Sequence, residues 1–304
     1  MDVMLGYLFP GQGTVRVGMG AWLRRRPAAR ERLDEVDTLL SRPVSPLCAR
    51  GPLDRLAATE NAQIAVTACN LAALAVLEEE GYEPEIVAGH SVGELTALHA
   101  AGVLGLADTV RLVETRSRLM ASVGAVGGMR AVMGLPVEDV EALAEAASAP
   151  GEPVVVGLEN APGHVVVSGA FPALDRLTEL ATAASKIVPL VVGNAFHSPL
   201  MAPAVAGWAA TVAAVPMLEP LVPVVPNVTG EPTMDLATLR EALVVQLTGR
   251  VRWTRTVAAV DAAASGVEVG DSKVLTGLSR RAEARCLSMA DPATLRRLAK
   301  AVAA

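Results

Sequence analysis

Gly89-His90-Ser91-Val92-Gly93 combines residue types and a spacing that could do acyl chemistry. It is a G-x-S-x-G turn between an apolar run, EIVAG (85–89), and a helical one, GELTALHAAGVL (93–104). A sharp strand-to-helix turn lifts the serine hydroxyl out of a sheet and admits only minimal neighbours, hence the paired glycines. It also sets the backbone N–H groups of the helix start where an oxyanion would form. The alternative is an ordinary turn with a capping serine.

A hydroxyl nucleophile needs a base, usually histidine. The chain has four. His90 lies inside the turn, where its side chain is expected to point away from Ser91. His99 lies two turns into the following helix, and His164 follows a Pro-Gly turn. His197 stands in GNAFHSPLM (193–201), a loop between a strand and a helix at a domain junction. A base is expected in such a place. Elimination favours His197 as the base; otherwise it is a cap or junction residue. No acidic residue stands out as a third member, so a backbone carbonyl or amide oxygen is left to orient the imidazole.

A third signal lies in LADTVRLVETRSRLMASV (106–123). Read as a helix, it puts Arg111, Glu114, Thr115 and Arg118 on one face and Leu112, Val113, Leu119 and Met120 on the other. Arg116 is four residues from both Leu112 and Met120 and points with the apolar group. A buried guanidinium needs an anion and pairs best with a planar carboxylate. That anion is either a protein Asp or Glu or the carboxylate of a substrate. With a serine nucleophile, the second choice suggests transfer of an acyl group that itself bears a carboxylate, such as malonyl.

The elements that must position these residues follow from pattern. GYLFP (6–10) reads as a strand, AQIAVTACNLAALAVLEEEG (62–81) as a buried helix, and EIVAG (85–89) as a strand. From 129 the order changes to strand 129–135, helix 136–147, strands 153–160 and 164–169, helix 171–184 and strand 185–192. That β-α-β-β-α-β order is the ferredoxin-like pattern. Beyond it, helix 200–214, strand PVVPNV (223–228), helices 235–247 and 253–264, strand 267–270 and a last helix after Asp291 rejoin the first unit. The expected fold is α/β, with a large domain from 1–124 and 195–304 and a small one at 125–194.

Composition bounds the partners. The 304 residues are 52% hydrophobic, 19% charged and only 3% aromatic, enough for a large aliphatic core. Net charge is −6 and no basic stripe with interleaved aromatics occurs, so nucleic acid is not an expected partner. Apolar stretches are interrupted by charge, Pro or Gly before the roughly 18 to 20 residues of a membrane span. MDVMLGYLFPGQG shows neither the basic region nor the cleavage site of a secretory leader, so a cytoplasmic location with no membrane contact is expected. Cys48, Cys69 and Cys286 have no metal or disulfide spacing, so no metal is expected.

Taken in order, these motifs resemble those of the malonyl-CoA:acyl-carrier-protein transacylases, a family that includes the acyltransferases of fatty-acid and polyketide synthesis. The resemblance spans about 5–285. It is carried by LFPGQG (8–13), GHSVGE (89–94), ETRSRLM (114–120), NAPGHVVVSG (160–169), NAFHSPLM (194–201), QLTGRVRWTRTV (246–257) and VEVGDSKVLTGL (267–278). It implies an α/β-hydrolase-like core with an inserted ferredoxin-like subdomain. It implies Ser91 as nucleophile, His197 as base and Arg116 as carboxylate clamp. The Gln12 and Val92 backbone amides become the oxyanion hole, the Gln246 carbonyl a support for His197, and Asn160 a polar contact. Phe196, next to the base, is expected to wall the pocket near the malonyl Cα and disfavour branched acyl groups; otherwise it packs the domain junction.

The implied partners are malonyl-CoA and a phosphopantetheinylated acyl carrier protein, with no cofactor, and the enzyme is expected to be a monomer. Some positions depart from the family pattern. Thr14 and Val15 follow PGQG, the closing loop is Gly270-Asp271-Ser272-Lys273, and Asn194 stands where malonyl-selective members often carry His. The rivals are a malonyl-transfer subunit of a malonate decarboxylase, a serine thioesterase or hydrolase on the same turn, and a non-catalytic carrier-binding scaffold.

Overall fold

A computed structural model of the chain describes residues 4–302. The first three residues of the N-terminal segment read above, and residues 303–304 of the final stretch, lie outside the described residues. The strands are β1 (Leu5–Phe9), β2 (Ile86–Gly89), β3 (Gly128–Met133), β4 (Val154–Ala161), β5 (His164–Gly169), β6 (Lys186–Pro189), β7 (Val224–Val225), β8 (Ser265–Glu268) and β9 (Cys286–Ser288). They form two separate sheets in a mixed α/β fold.

The first sheet has the order β7-β2-β1-β8-β9, and every neighbouring pair is parallel. Parallel sheets are covered on both faces, so their strands carry unbroken apolar runs. LGYLF and IVAG are accordingly buried at every position. Strand order reverses at β1, with β2 on one side and β8 on the other. At such a point the loops leaving the carboxyl ends diverge and open a crevice. Phe9 pairs with Gly89 and Leu8 with Glu268, so the loops that follow β1, β2 and β8 leave from one edge.

The second sheet has the order β4-β5-β3-β6, all antiparallel, with helices Val137–Ala147 and Phe171–Leu180 between its strands. Its two faces divide as alternation requires. Val132, Val165 and Val167 pack with the two helices in a core of their own. Met129, Ala131 and Val166 face the other way and join the core of the parallel sheet. A β-bulge between Val156 and Leu158 breaks the alternation of β4. Val154 and Val156 stay with the helices while Leu158 turns to the opposite side. Past the bulge, β4 is stitched to the rest by Glu159 N–H donating to the Val251 carbonyl and Val251 N–H to that of Gly157, each at 2.9 Å.

Several boundaries differ from the expected ones. The strand expected at 223–228 is only Val224–Val225, because Pro223 and Pro226 have no N–H to extend the ladder. The helix expected to reach 184 ends at Leu180, and the strand expected over 185–192 is Lys186–Pro189. The expectation that no apolar stretch reaches spanning length is overturned by the helix Thr59–Glu79. Its 21 residues are long and apolar enough to cross a membrane, yet 94% of the relevant window is buried inside the protein. It is the central core helix and packs against the helices Pro27–Leu39 and Leu106–Ser122.

Candidate active site

The turn after β2 is shaped by close approach of backbone. A Cβ on Gly89 would lie 2.0 Å from the Gly93 carbonyl, and one on Gly93 would lie 2.2 Å from the Phe9 carbonyl oxygen. No side chain fits either place. Between them Ser91 adopts φ 53°, a left-handed conformation rare outside glycine. Asn227, fully buried just past β7, holds the turn: its Oδ1 accepts from Ser91 N–H at 2.7 Å and its Nδ2 donates to the Gly89 carbonyl at 2.6 Å.

His197 reaches this turn from the loop that leaves the antiparallel sheet. Its Nε2 is 2.8 Å from Ser91 Oγ. Its Nδ1 faces two carbonyl oxygens, Gln246 at 2.9 Å and Gly249 at 3.2 Å. Carbonyls only accept, so the proton sits on Nδ1 and the Nε2 lone pair is left for the serine hydroxyl. Burial pushes His197 down to about 3, and the Arg116 charge adds to that effect. The imidazole is therefore neutral at rest, with the Nε2 lone pair directed at the serine hydroxyl.

Arg116 is 1% exposed on the inner face of Leu106–Ser122, whereas Arg118 is exposed. Its Nη1 donates to Gln63 Oε1 at 2.6 Å and its Nη2 to Gln246 Oε1 at 2.9 Å. Nη2 also lies 3.4 Å from Ser91 Oγ, and Nε has no partner. Among the described residues it forms no ion pair, so the protein carboxylate that one reading required is not there. Burial lowers its pKa to about 10, with Glu94 opposing, so the cation persists at neutral pH.

Glu94, buried in the first turn of the helix Gly93–Ala100, completes the network. Its Oε2 accepts from Asn227 N–H at 2.8 Å and from Gln246 Nε2 at 2.9 Å. Burial raises its pKa to about 7, against the lowering by those hydrogen bonds and by Arg116. Gln246 is thus used at both ends. Its carbonyl orients His197, and its amide bridges Arg116 to Glu94 and to the Ser91 carbonyl at 3.1 Å.

A cavity of about 340 Å³ opens in front of these groups. Ser91, His197, Gln12, Gln63, His90 and Asn160 give it polar points. Phe196, Met120, Met129, Leu158, Val166 and Leu278 make its apolar walls. Neither Gln12 N–H nor Val92 N–H has a hydrogen-bond partner among the described residues. The Gln12 loop is pressed onto the serine turn: a Cβ on Gly11 would lie 2.6 Å from the His90 carbonyl oxygen. Asn70 Nδ2, from the core helix, holds that loop at the Pro10 carbonyl, 2.9 Å away.

Every residue singled out from sequence is in this region. Ser91, His197, Arg116 and Gln246 are in direct contact, and Gln12, Phe196 and Asn160 line the cavity. Val92 itself is buried behind the turn. The His90 ring, as expected, turns from Ser91; its Nε2 meets Asn160 Oδ1 at 2.8 Å and its edge packs on Trp253. Asn194 is buried, its Nδ2 donating to the Met120 carbonyl at 3.2 Å. Sequence reading missed Gln63, Glu94 and Asn227. Gln63 had a signal: with Thr67 and Asn70 it forms a polar i, i+4, i+7 stripe in an otherwise apolar helix.

Comparison with known proteins identifies the family. Residues 6–284 match the acyl transferase domain family. The malonyl CoA-acyl carrier protein transacylase of Bacillus subtilis is 33% identical over 300 residues, covering 96% of this chain and 95% of the relative. An acyl-carrier-protein S-malonyltransferase from Bartonella henselae superposes with a TM-score of 0.93 at 35% identity, over 99% of this chain and 100% of that one. A malonyl-transacylase solved in complex with a type II polyketide synthase acyl-carrier protein gives 0.92 at 32% identity, over 99% of each chain.

Proposed function

The chain belongs to the acyl transferase domain family, and from that premise we propose that it moves a malonyl group from CoA to the phosphopantetheine thiol of an acyl carrier protein, through a malonyl-serine intermediate. The observation that carries the malonyl assignment is Arg116. It is a buried cation beside the nucleophile whose acceptors are all neutral: two amide oxygens and the Ser91 hydroxyl. A substrate carboxylate offers two charged oxygens where Gln63 and Gln246 offer one neutral oxygen each, and so displaces them favourably.

The reaction is ping-pong. His197 Nε2 takes the Ser91 hydroxyl proton as Oγ attacks the thioester carbonyl carbon. The oxyanion is stabilised by the Gln12 and Val92 N–H groups. Collapse expels the CoA thiolate, which takes the proton back from His197 Nε2. In the second half the carrier's thiol gives its proton to His197 and attacks the ester, and Ser91 leaves as the restored hydroxyl. Bound malonate also changes the electrostatics. Its carboxylate offsets the Arg116 charge that disfavours the imidazolium, so the correct substrate makes His197 a stronger base as it docks.

Close relatives of nearly equal length carry the transacylase name, which favours transfer over the thioesterase and decarboxylase-subunit readings. Use of an intracellular thioester supports a cytoplasmic location. A monomer suffices for the reading, since one chain supplies the whole site. The test is to supply malonyl-CoA and holo-carrier together and weigh the carrier. Malonyl-carrier should form faster than free malonate; predominant malonate would establish a hydrolase instead.

A further inference from the structure

Outside the cleft lies a second cavity, about 230 Å³, walled by Arg42, Arg50, Gly51, Arg55, Asn61 and Ile64. Three arginines line this one hollow in a chain of net charge −6. Eight other arginines, Arg16, Arg26, Arg32, Arg111, Arg130, Arg176, Arg250 and Arg297, form ion pairs. Among the described residues Arg42, Arg50 and Arg55 form none. Asp37, in the same segment, is used on the N–H groups of Val44 and Ser45.

The cavity is also held in shape. Asn61 is 5% exposed at the start of the core helix. Its Oδ1 accepts from Arg42 Nη2 at 2.8 Å, and its Nδ2 donates to the Arg55 carbonyl at 2.7 Å. One buried amide thus fixes two of the three arginine-bearing walls. Planar, permanently charged donors set around a small hollow suit phosphate oxygens.

The cavity adjoins the cleft on two sides. Asn61 and Ile64 flank Gln63, which lines the cleft and bonds Arg116. On the other side, a Cβ on Gly51 would lie 2.8 Å from Val17, and Gly18 N–H donates to the Cys48 carbonyl at 2.8 Å. The same loop, at Gln12–Thr14, lines the cleft. A donor with its thioester at Ser91 and its arm leaving over this loop would bring its far end to the arginines.

We infer that the Arg42–Arg50–Arg55 cavity is the site for the phosphate groups of the CoA donor's nucleotide. The inference rests on the transacylase reading. A hollow of this size accepts compact phosphates and does not fit the broad face of a carrier protein.

The experiment follows the first half-reaction, without carrier, in wild type and in the Arg50→Ala/Arg55→Ala double variant. Both side chains are exposed, so the fold should tolerate their loss. The donors are malonyl-CoA and malonyl-pantetheine, which lacks every phosphate. The variant should raise about tenfold the malonyl-CoA concentration that gives half-maximal acylation rate, the scale of two partly exposed charge pairs, with the limiting rate unchanged. It should leave malonyl-pantetheine unaffected. Equal effects on both donors, or none on malonyl-CoA, overturn the assignment. A normal malonyl-CoA concentration dependence with weakened use of the carrier also overturns it, and gives the arginines to the carrier. Titration with adenosine 3′,5′-bisphosphate reads the site without chemistry. Binding by wild type and not by the variant supports the site even if neither donor acylates the protein, a result that would count against the transacylase reading alone. No binding by wild type contradicts the site.

Discussion

Ser91 and His197 meet at 2.8 Å, and each holds that contact from left-handed backbone, φ 53° for the serine and 57° for the histidine. Among the described non-glycine residues only Glu283 shares such a conformation. Each costs on the order of 1–3 kcal/mol and persists only where the surroundings over-determine it. Carbonyl acceptors fix the histidine ring, and Asn227 fixes the serine turn.

Asn227→Ala is therefore expected to act on both stability and chemistry. It leaves Ser91 N–H and the Gly89 carbonyl without their partner. The cost should be about 2–4 kcal/mol in urea unfolding, since buried polar groups are left unsatisfied. Acylation of the folded fraction should also slow. An unchanged unfolding midpoint together with an unchanged acylation rate would show that the glycine packing holds the turn by itself.

Arg116→Ala should remove malonyl transfer and spare acetyl transfer. The truncation also strips Gln63 and Gln246 of their donor, so absolute rates mix two effects and the ratio of the substrates is the readout. The malonyl-to-acetyl ratio of kcat/KM should fall by about 2–5 kcal/mol, as for a broken buried charge pair. Equal losses for both acyl groups would make Arg116 a structural residue. Arg118→Ala, on the exposed face, is the control and should be nearly silent.

The pH profile tests the tautomer and the charge around the base. For the free protein, kcat/KM of acylation reports the base before substrate binds. Burial, with Arg116 adding, holds His197 far below its ordinary value, so it stays unprotonated as pH falls. No acid limb should appear across the usual imidazole range, about pH 6 to 7. Removing the Arg116 cation removes a charge that repels the proton, so the limb should move up in Arg116→Ala. A wild-type midpoint near 6.5, or a limb that moves down in the variant, contradicts this.

Phe196 is almost fully buried and lines the cavity beside Met120 and Leu158. On the proposal that its ring walls the pocket at the acyl Cα, a branch there has little room. Wild type should prefer malonyl-CoA to methylmalonyl-CoA, and Phe196→Ser should narrow the preference. A methyl-sized clash is worth roughly 1–3 kcal/mol, so the shift is tens-fold at most. Competition between the two esters, read by mass on the carrier, decides it. Equal loading of both by wild type would assign Phe196 to packing alone.

Much of this site was readable because its chemistry needs special local sequence. Gly89 and Gly93 mark a turn that tolerates no Cβ, and Arg116 breaks an apolar periodicity. Glu94 was hidden because a glutamate in a helix's first turn is ordinary, and only the tertiary fold closes protein around it. Asn227 was read as part of a strand over 223–228; the strand ends at Val225, and only the tertiary fold brings the Asn227 side chain onto the serine turn. The same limit hid β9 at three residues and the short helices Ser45–Arg50 and Leu53–Ala57. Gln246 was read for its carbonyl; the second use of its side chain depends on Arg116 and Glu94 arriving from distant segments.

The central claim is covalent catalysis at Ser91, and a mass measurement reaches it most directly. The protein is incubated with malonyl-CoA and no carrier, then weighed intact and mapped by peptide. The expected result is one malonyl group on the peptide carrying GHSVG, lost in Ser91→Ala and discharged when holo-carrier is added. No adduct, or an adduct that persists in Ser91→Ala, would contradict it.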